Sequence, residues 1–162
     1  MNNTLTATLF IGIDVSSKSN YVYGMDFFGN KLLSFQTSNN NPGAEAIAHK
    51  ILQCLKKNSL THLNIAMEST SFYGWHIANF LSCHEELLWF KPKVYCLNPK
   101  VIANYKKTFI DIDKTDPKDA HFIIYCWGNN NYWYLMVVAL KFSVPCNYRH
   151  QSGNYHYFSL FM

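Results

Sequence analysis

An apolar, β-branched run near the amino terminus constrains the fold more than any other part of this sequence. Residues 8–16 read TLFIGIDVS, a composition typical of a buried strand. Asp14 lies inside this run, with apolar neighbours on both sides. A carboxylate in such a setting is costly unless a cation or a hydrogen-bond donor compensates its charge. The run therefore predicts a buried strand that carries a functional acid.

The segments that follow alternate between strand patterns and helix patterns. NYVYGMDF and KLLSFQ are separated by the turn FFGN, so the chain opens with a meander of three strands. LNIAMES predicts a fourth strand and KVYCLNP a fifth, and further helices are expected at about 100–106 and 116–125. This order predicts an α/β domain in which strands alternate with helices after the meander.

Two segments between these strands have apolar residues at helical spacing. In residues 43–57 the candidate core residues are Ala44, Ile47, Ala48, Ile51, Leu52 and Leu55. In SFYGWHIANFLSC they are Phe72, Trp75, Ile77, Ala78, Phe80 and Leu81. Each segment is therefore predicted to be a helix that packs on the sheet.

The composition changes near residue 126. All ten acids lie in residues 1–126, whereas residues 127–162 have only Lys141 and Arg149 as fixed charges and are rich in Tyr, Phe and Asn. With 162 residues the chain has room for one domain with a core. We predict a domain at 1–126 and a divergent tail at 127–162 that arose by frameshift or truncation. The alternative is an ordinary aromatic-rich element packed on the sheet.

Charge and cysteine content bear on partners and compartment. The net charge of +4 permits a nucleic-acid partner without requiring one. The five cysteines form no C-x-x-C pair, which is typical of reduced thiols in a cytosolic protein. The amino terminus has no basic segment followed by a long apolar one, and no later apolar run reaches the roughly 20 residues of a membrane span. We therefore expect a cytoplasmic protein with no membrane partner.

Four acids form a candidate metal site. Asp14 and Glu68 lie near the ends of the first and fourth strands, and Asp116 and Asp119 are three residues apart at the start of a predicted helix. If the two strands are adjacent and parallel, both acids emerge at the same edge of the sheet. Carboxylate oxygens suit Mg²⁺, and two such ions can clamp a phosphoryl displacement. The alternative for Asp116 is a helix cap, and the alternative for Glu68 is a residue that leads into a helix cap.

Seven lysines are candidates for contact with nucleic acid, because phosphate backbones are bound by clustered positive charge. They are Lys91, Lys93, Lys100, Lys106, Lys107, Lys114 and Lys118. The alternative is a solvated lysine face.

Four segments, in this order and spacing, resemble one known family. FIGIDVSSKSNYVYGMDFFGNKL, IAMESTSFYGWHIANFL, VYCLNP and KTDPKDAHFI together resemble the N-terminal RuvC-like domain of the DEDD insertion-sequence transposases, whose recombinase is guided by a bridge RNA. The resemblance runs from about Leu9 to about Cys126. It implies a ribonuclease-H-like mixed sheet of about five strands flanked by helices. It also places the family's acidic tetrad on Asp14, Glu68, Asp116 and Asp119, with the T-D-x-x-D-A pattern intact from Thr115 to Ala120.

The resemblance further implies a function and partners. It implies Mg²⁺-dependent strand cleavage and exchange on DNA, with a guide RNA bound and with assembly into a homo-oligomer in the intact family. Family members continue into a second domain that carries a nucleophilic serine, so we expect this chain to be a transposase fragment, incomplete as an enzyme without that domain. One alternative is a catalytically incompetent remnant that binds nucleic acid or transposase subunits. Another is an ATPase lobe of the actin-like or sugar-kinase type, because the first hairpin also resembles their phosphate hairpin.

Overall fold

A computed structural model describes residues 3–68, 73–97, 99, 100, 102, 120 and 123. The elements in chain order are α1 (Asn3–Thr6), β1 (Thr8–Val15), β2 (Ser19–Met25), β3 (Lys31–Ser38), α2 (Asn41–Lys57), β4 (His62–Glu68), α3 (Tyr73–Cys83), α4 (Glu85–Leu88) and β5 (Lys93–Leu97). All five predicted strands and both predicted helices between them are present, whereas α1 and α4 were not predicted. The tail at 127–162 lies outside the described residues, as does most of the two helices predicted after β5.

The five strands form one mixed sheet in the order β3-β2-β1-β4-β5. β1 pairs with β2 in the antiparallel sense and with β4 in the parallel sense, and β5 continues the parallel part. The antiparallel pair of β2 and β3 completes the meander. Parallel neighbours need a crossover connection, which α3 and α4 provide between β4 and β5. The predicted α/β fold, a mixed sheet of about five strands flanked by helices, is confirmed.

The main core lies between one face of the sheet and the helices α2, α3 and α4. Alternate residues of β1 contribute to it, since successive strand side chains point to opposite faces. All six apolar residues predicted for α2 are buried. On α3, Ile77, Ala78 and Leu81 are buried as predicted and Phe80 is partly buried against the core.

The core prediction for Trp75 is wrong. Its side chain is 49% exposed, because it lies on the side of α3 that faces away from the sheet, and Ile77 and Ala78 supply the buried side. Phe72, the other aromatic residue predicted at the start of this helix, lies outside the described residues.

In the part of the chain that the structure describes, no helix combines the length and the apolar character needed to cross a membrane.

The start of α2 is fixed by a cap and by a close backbone contact. The Asn40 side chain accepts a hydrogen bond from the Gly43 backbone N–H at 2.9 Å, and Pro42 lies in the first turn. A Cβ atom at Gly43 would collide with the backbone carbonyl oxygen of Ser38. The end of β3 and the first turn of α2 are therefore in direct backbone contact.

This contact predicts opposite effects for two Gly→Ala substitutions in helices. Gly43→Ala should lower the free energy of unfolding by about 1–3 kcal/mol, because the backbone of Ser38 cannot move aside as a flexible side chain could. Gly74→Ala in α3 is the matched control, since its Cβ would meet no atom closer than 3.8 Å. That variant should be unchanged or more stable by up to about 1 kcal/mol, because Ala favours helix. Urea denaturation of both variants measures the difference, and equal effects would contradict the contact.

Candidate functional site

The pairing of β1 with β4 places two of the predicted acids side by side. The parallel register runs from Thr8 with His62 to Ile13 with Met67, and the same register pairs Asp14 with Glu68 one step further along. Cross-strand neighbours point to the same face, and adjacent strands are about 4.8 Å apart. The register therefore brings the backbone positions of Asp14 and Glu68 to the same edge of the sheet, and the meeting of their carboxylates at a metal site stays a prediction.

Both acids are half-buried, and Asp14 borders a small cavity. This cavity has a volume of about 50 Å³ and is lined by Asp14, Ser16, Ser19 and Tyr21. Tyr21 is the cross-strand partner of Asp14 on β2. A water molecule needs roughly 10–15 Å³, so the space beside the carboxylate is large enough for an ion or a water.

On the other side of Glu68 the same face of the sheet is apolar. Leu97 is the cross-strand partner of Glu68, and it belongs to a buried cluster with Ala66, Tyr95, Ile102 and Ile123. Burial raises the pKa of the Tyr95 hydroxyl. The cluster thus forms an apolar wall beside Glu68, and Ile123 brings a distant part of the chain to it.

The other two predicted ligands, Asp116 and Asp119, lie outside the described residues. Ala120, which follows Asp119 in the chain, is described, and it is helical and fully buried. Within the described residues no group of three or more His, Cys, Asp or Glu side chains is placed to hold a metal ion. Of the predicted tetrad, the structure thus describes the pair Asp14 and Glu68.

The predicted lysines that the structure describes lie at two opposite ends of β5. Lys91 and Lys93 are exposed at the start of β5, and Lys93 is the partner of Asn64. The acid edge is at the other end of that strand, about 13 Å away at 3.3 Å per residue. Lys100 is exposed and follows the carboxyl end of β5 by three residues. Lys106, Lys107, Lys114 and Lys118 lie outside the described residues.

The sequence pointed to the polar hairpin after Asp14 only through its resemblance to a phosphate hairpin, and not as part of the acid edge. The chain leaves β1 at Val15 and enters β2 at Ser19, so Ser16 and the exposed Lys18 lie at the acid edge. The Ser16 hydroxyl donates to the Ser19 carbonyl oxygen at 2.7 Å and accepts from the Ser19 backbone N–H at 3.1 Å. The letters SSKS directly after the acid-bearing strand were the available signal.

The register predicts a measurable repulsion between Asp14 and Glu68. Like charges directly opposite each other on neighbouring strands destabilise a sheet by about 0.2–1 kcal/mol. A double-mutant cycle of Asp14→Asn and Glu68→Gln, measured by urea denaturation at low salt without divalent cations, should give a coupling energy in this range with the sign of a repulsion.

A matched cycle keeps Asp14→Asn and replaces the second change with Glu85→Gln. Glu85 is exposed on α4, away from the carboxyl edge of β4, so these two changes should be additive. Equal coupling in both cycles would show that Asp14 and Glu68 are not neighbours.

Comparison with known proteins was made by sequence and by structure. The model of the DEDD transposase family, described as "Transposase", matches residues 11–124. No curated protein matches the chain.

Solved structures with a similar fold include RuvC of Thermus thermophilus, with and without a Holliday junction substrate. The complex has a TM-score of 0.48 and the free protein 0.49; each is 13% identical, and each match covers 72% of this chain and 90% of RuvC. Argonaute of Marinitoga piezophila, in complex with guide RNA and target DNA, has a TM-score of 0.41 at 16% identity. That match covers 59% of this chain and 17% of Argonaute.

Proposed function

The chain belongs to the DEDD transposase family, and we propose that it acts on the phosphodiester backbone of DNA through divalent cations held at the carboxyl edge of β1 and β4. The proposed ligands are the acidic tetrad Asp14, Glu68, Asp116 and Asp119. The proposed ion is Mg²⁺, and the proposed partners are DNA, a guide RNA and further copies of the chain.

The observation that supports this proposal is the parallel register of β1 and β4 up to Ile13 and Met67, which, continued by one residue, aligns Asp14 with Glu68. Two half-buried carboxylates at one strand spacing repel each other, and a hard cation with oxygen ligands relieves that repulsion. The cavity beside Asp14 offers room for such an ion. The chemistry of the donors and the space available therefore fit a divalent cation.

The assignment of Asp116 and Asp119 rests on the sequence pattern and on neighbouring contacts. T-D-x-x-D-A is intact at Thr115 to Ala120, and two residues just after Asp119 are described. Ile123 packs with Ala66 and Leu97, which flank Glu68 on the same face of the sheet. We propose that this anchoring brings Asp119 and Asp116 to the pair formed by Asp14 and Glu68.

The chain's own residues have separate roles in this proposal. The carboxylates of Asp14 and Glu68 bind the cation and orient it, and the apolar wall around Leu97 keeps water from the other side of Glu68. When bound, Mg²⁺ supplies Lewis-acid stabilisation of the charge that develops on the phosphoryl oxygens.

Thermal melting with and without Mg²⁺ tests the cation site. Ligand binding to the folded state stabilises it by about 1.4 kcal/mol at ten times Kd, so the wild-type melting temperature should rise with Mg²⁺. Asp14→Asn and Asp119→Asn should lose most of this rise. Asp113→Asn is the matched control, since it removes an acid of the same segment outside the T-D-x-x-D-A pattern, and it should keep the rise. An equal rise in all four proteins would refute the site.

DNA cleavage tests the activity itself. Branched DNA incubated with the wild-type protein, Mg²⁺ and guide RNA should be nicked, and Asp14→Asn should abolish nicking, because one ligand of the proposed cation is lost. Binding of the DNA without nicking would instead favour the binding remnant as the function of this chain. Equal nicking by wild type and Asp14→Asn would overturn the proposed role of the acids.

A further inference from the structure

A polar groove runs along the acid edge of the sheet, away from Glu68. The small cavity beside Asp14 shares Ser19 with a larger open cavity of about 350 Å³, which is lined by Ser19, Gln36, Thr37 and Ser38. β2 begins at this edge and β3 ends at it, and Ser19 and Ser38 are cross-strand partners. The two cavities therefore adjoin each other at Ser19, and their lining residues extend from β1 across β2 to β3.

Hydrogen bonds join the strand ends beside this groove. The Asn39 side chain donates to the Ser16 carbonyl oxygen at 2.8 Å, and the Asn39 backbone N–H donates to the Lys18 carbonyl oxygen at 2.9 Å. The fully buried Asn20 donates to the side chain of Asn39 at 3.3 Å. The end of β3 is thus tied to the hairpin of β1 and β2, which holds together the strands that line the groove.

The exposed side chains that line the groove are neutral, and one lysine lies in the adjoining hairpin. Gln36 and Ser38 are exposed, and their side chains make no hydrogen bond to any described residue. An amide and a hydroxyl can each donate to a phosphate oxygen or a sugar oxygen. Lys18 is exposed at the hairpin between Ser16 and Ser19. The groove therefore offers neutral donors and one ammonium group, which together match a phosphodiester chain.

We propose that this groove holds the sugar–phosphate backbone of the DNA strand that carries the scissile phosphate, on the β3 side of Asp14. The inference rests on the proposed function, because the path of the DNA strand along the groove is drawn from the acid pair, where the scissile phosphate would lie. Two strand spacings are about 10 Å, and phosphates along one strand of a duplex are about 3.4 Å apart along the axis. The groove is long enough for more than one nucleotide, and Lys18 pairs with one of their phosphates.

The test is equilibrium binding of fluorescein-labelled single-stranded DNA, followed by anisotropy at several KCl concentrations. Ca²⁺ replaces Mg²⁺ as the oxygen-liganded cation. Gln36→Ala and Ser38→Ala should each weaken binding by roughly 3- to 10-fold, the effect of one lost hydrogen bond, and should leave the salt dependence unchanged. Lys18→Gln should weaken binding and reduce the slope of log K against log[salt] by about 0.7, the value for one phosphate contact on a single strand.

Matched controls come from the exposed face of α2, on the opposite side of the sheet. Gln53→Ala removes the same amide as Gln36→Ala, and Lys57→Gln removes the same charge as Lys18→Gln. Both controls should bind DNA like the wild type. Thermal melting of each variant confirms that the fold is retained.

The outcomes separate this inference from the proposed function. If the wild type binds DNA and the groove variants bind like the controls, the groove is refuted and the proposed function stands. If the wild type binds neither DNA nor RNA of the same sequence, both fail. Loss of binding to RNA alone in the groove variants would assign the groove to an RNA strand and overturn its assignment to the DNA strand.

Discussion

The pairing of β1 with both β2 and β4 is the constraint on which the rest of the structure depends. As the middle strand of the five, β1 uses its backbone hydrogen bonds on both sides, and seven of its eight residues are buried. Asp14 is the exception, half-buried at the next-to-last position, where the strand leaves the core. A carboxylate earlier in β1 would be fully buried and would therefore be destabilised by complete desolvation. An acid within this apolar segment is therefore least destabilising near the end of the central strand, where its side chain is only half-buried.

The two faces of the sheet then determine what surrounds that acid. One face is covered by α2, α3 and α4 and carries the main core. The opposite face changes in character from strand to strand: it is apolar around Leu97 on β5, acidic at Glu68 and Asp14, and polar from Ser19 to Ser38. The acid pair lies at the boundary between these regions. Hydrogen-bonding groups therefore lie on one side of the acids and an apolar wall lies on the other.

The sequence was sufficient to predict the strands and helices whose pattern of apolar residues lies within one short segment. The apolar run around Asp14 and the helical spacing of Ile47, Ile51 and Leu55 depend on burial of neighbouring residues, and the structure agrees with both. The parallel pairing of β1 with β4, on which the predicted acid pair depends, is also present, and it puts the strand ends that carry Asp14 and Glu68 at one edge. The core prediction for Trp75 failed because the helical spacing of apolar residues near the start of a helix does not show which of them face the sheet. The Trp75 side chain faces solvent. The four-residue helix α4 is too short for periodicity to reveal.

The positions of the lysines relative to the acids depend on strand register, so closeness in the sequence did not predict them. Lys91 and Lys93 are close to the later acids in the sequence, yet they lie at the far end of β5 from Glu68. Lys18, which is distant in sequence from most acids, follows β1 at the acid edge, and Lys100 follows β5 on the same side. Positive charge therefore flanks the carboxylates across the edge of the sheet, whereas the sequence suggested a cluster on one side. In the proposed function, a phosphate chain that crosses this edge would be repelled by the two acids at its centre and attracted at both flanks, which is why the proposal includes a cation at the centre.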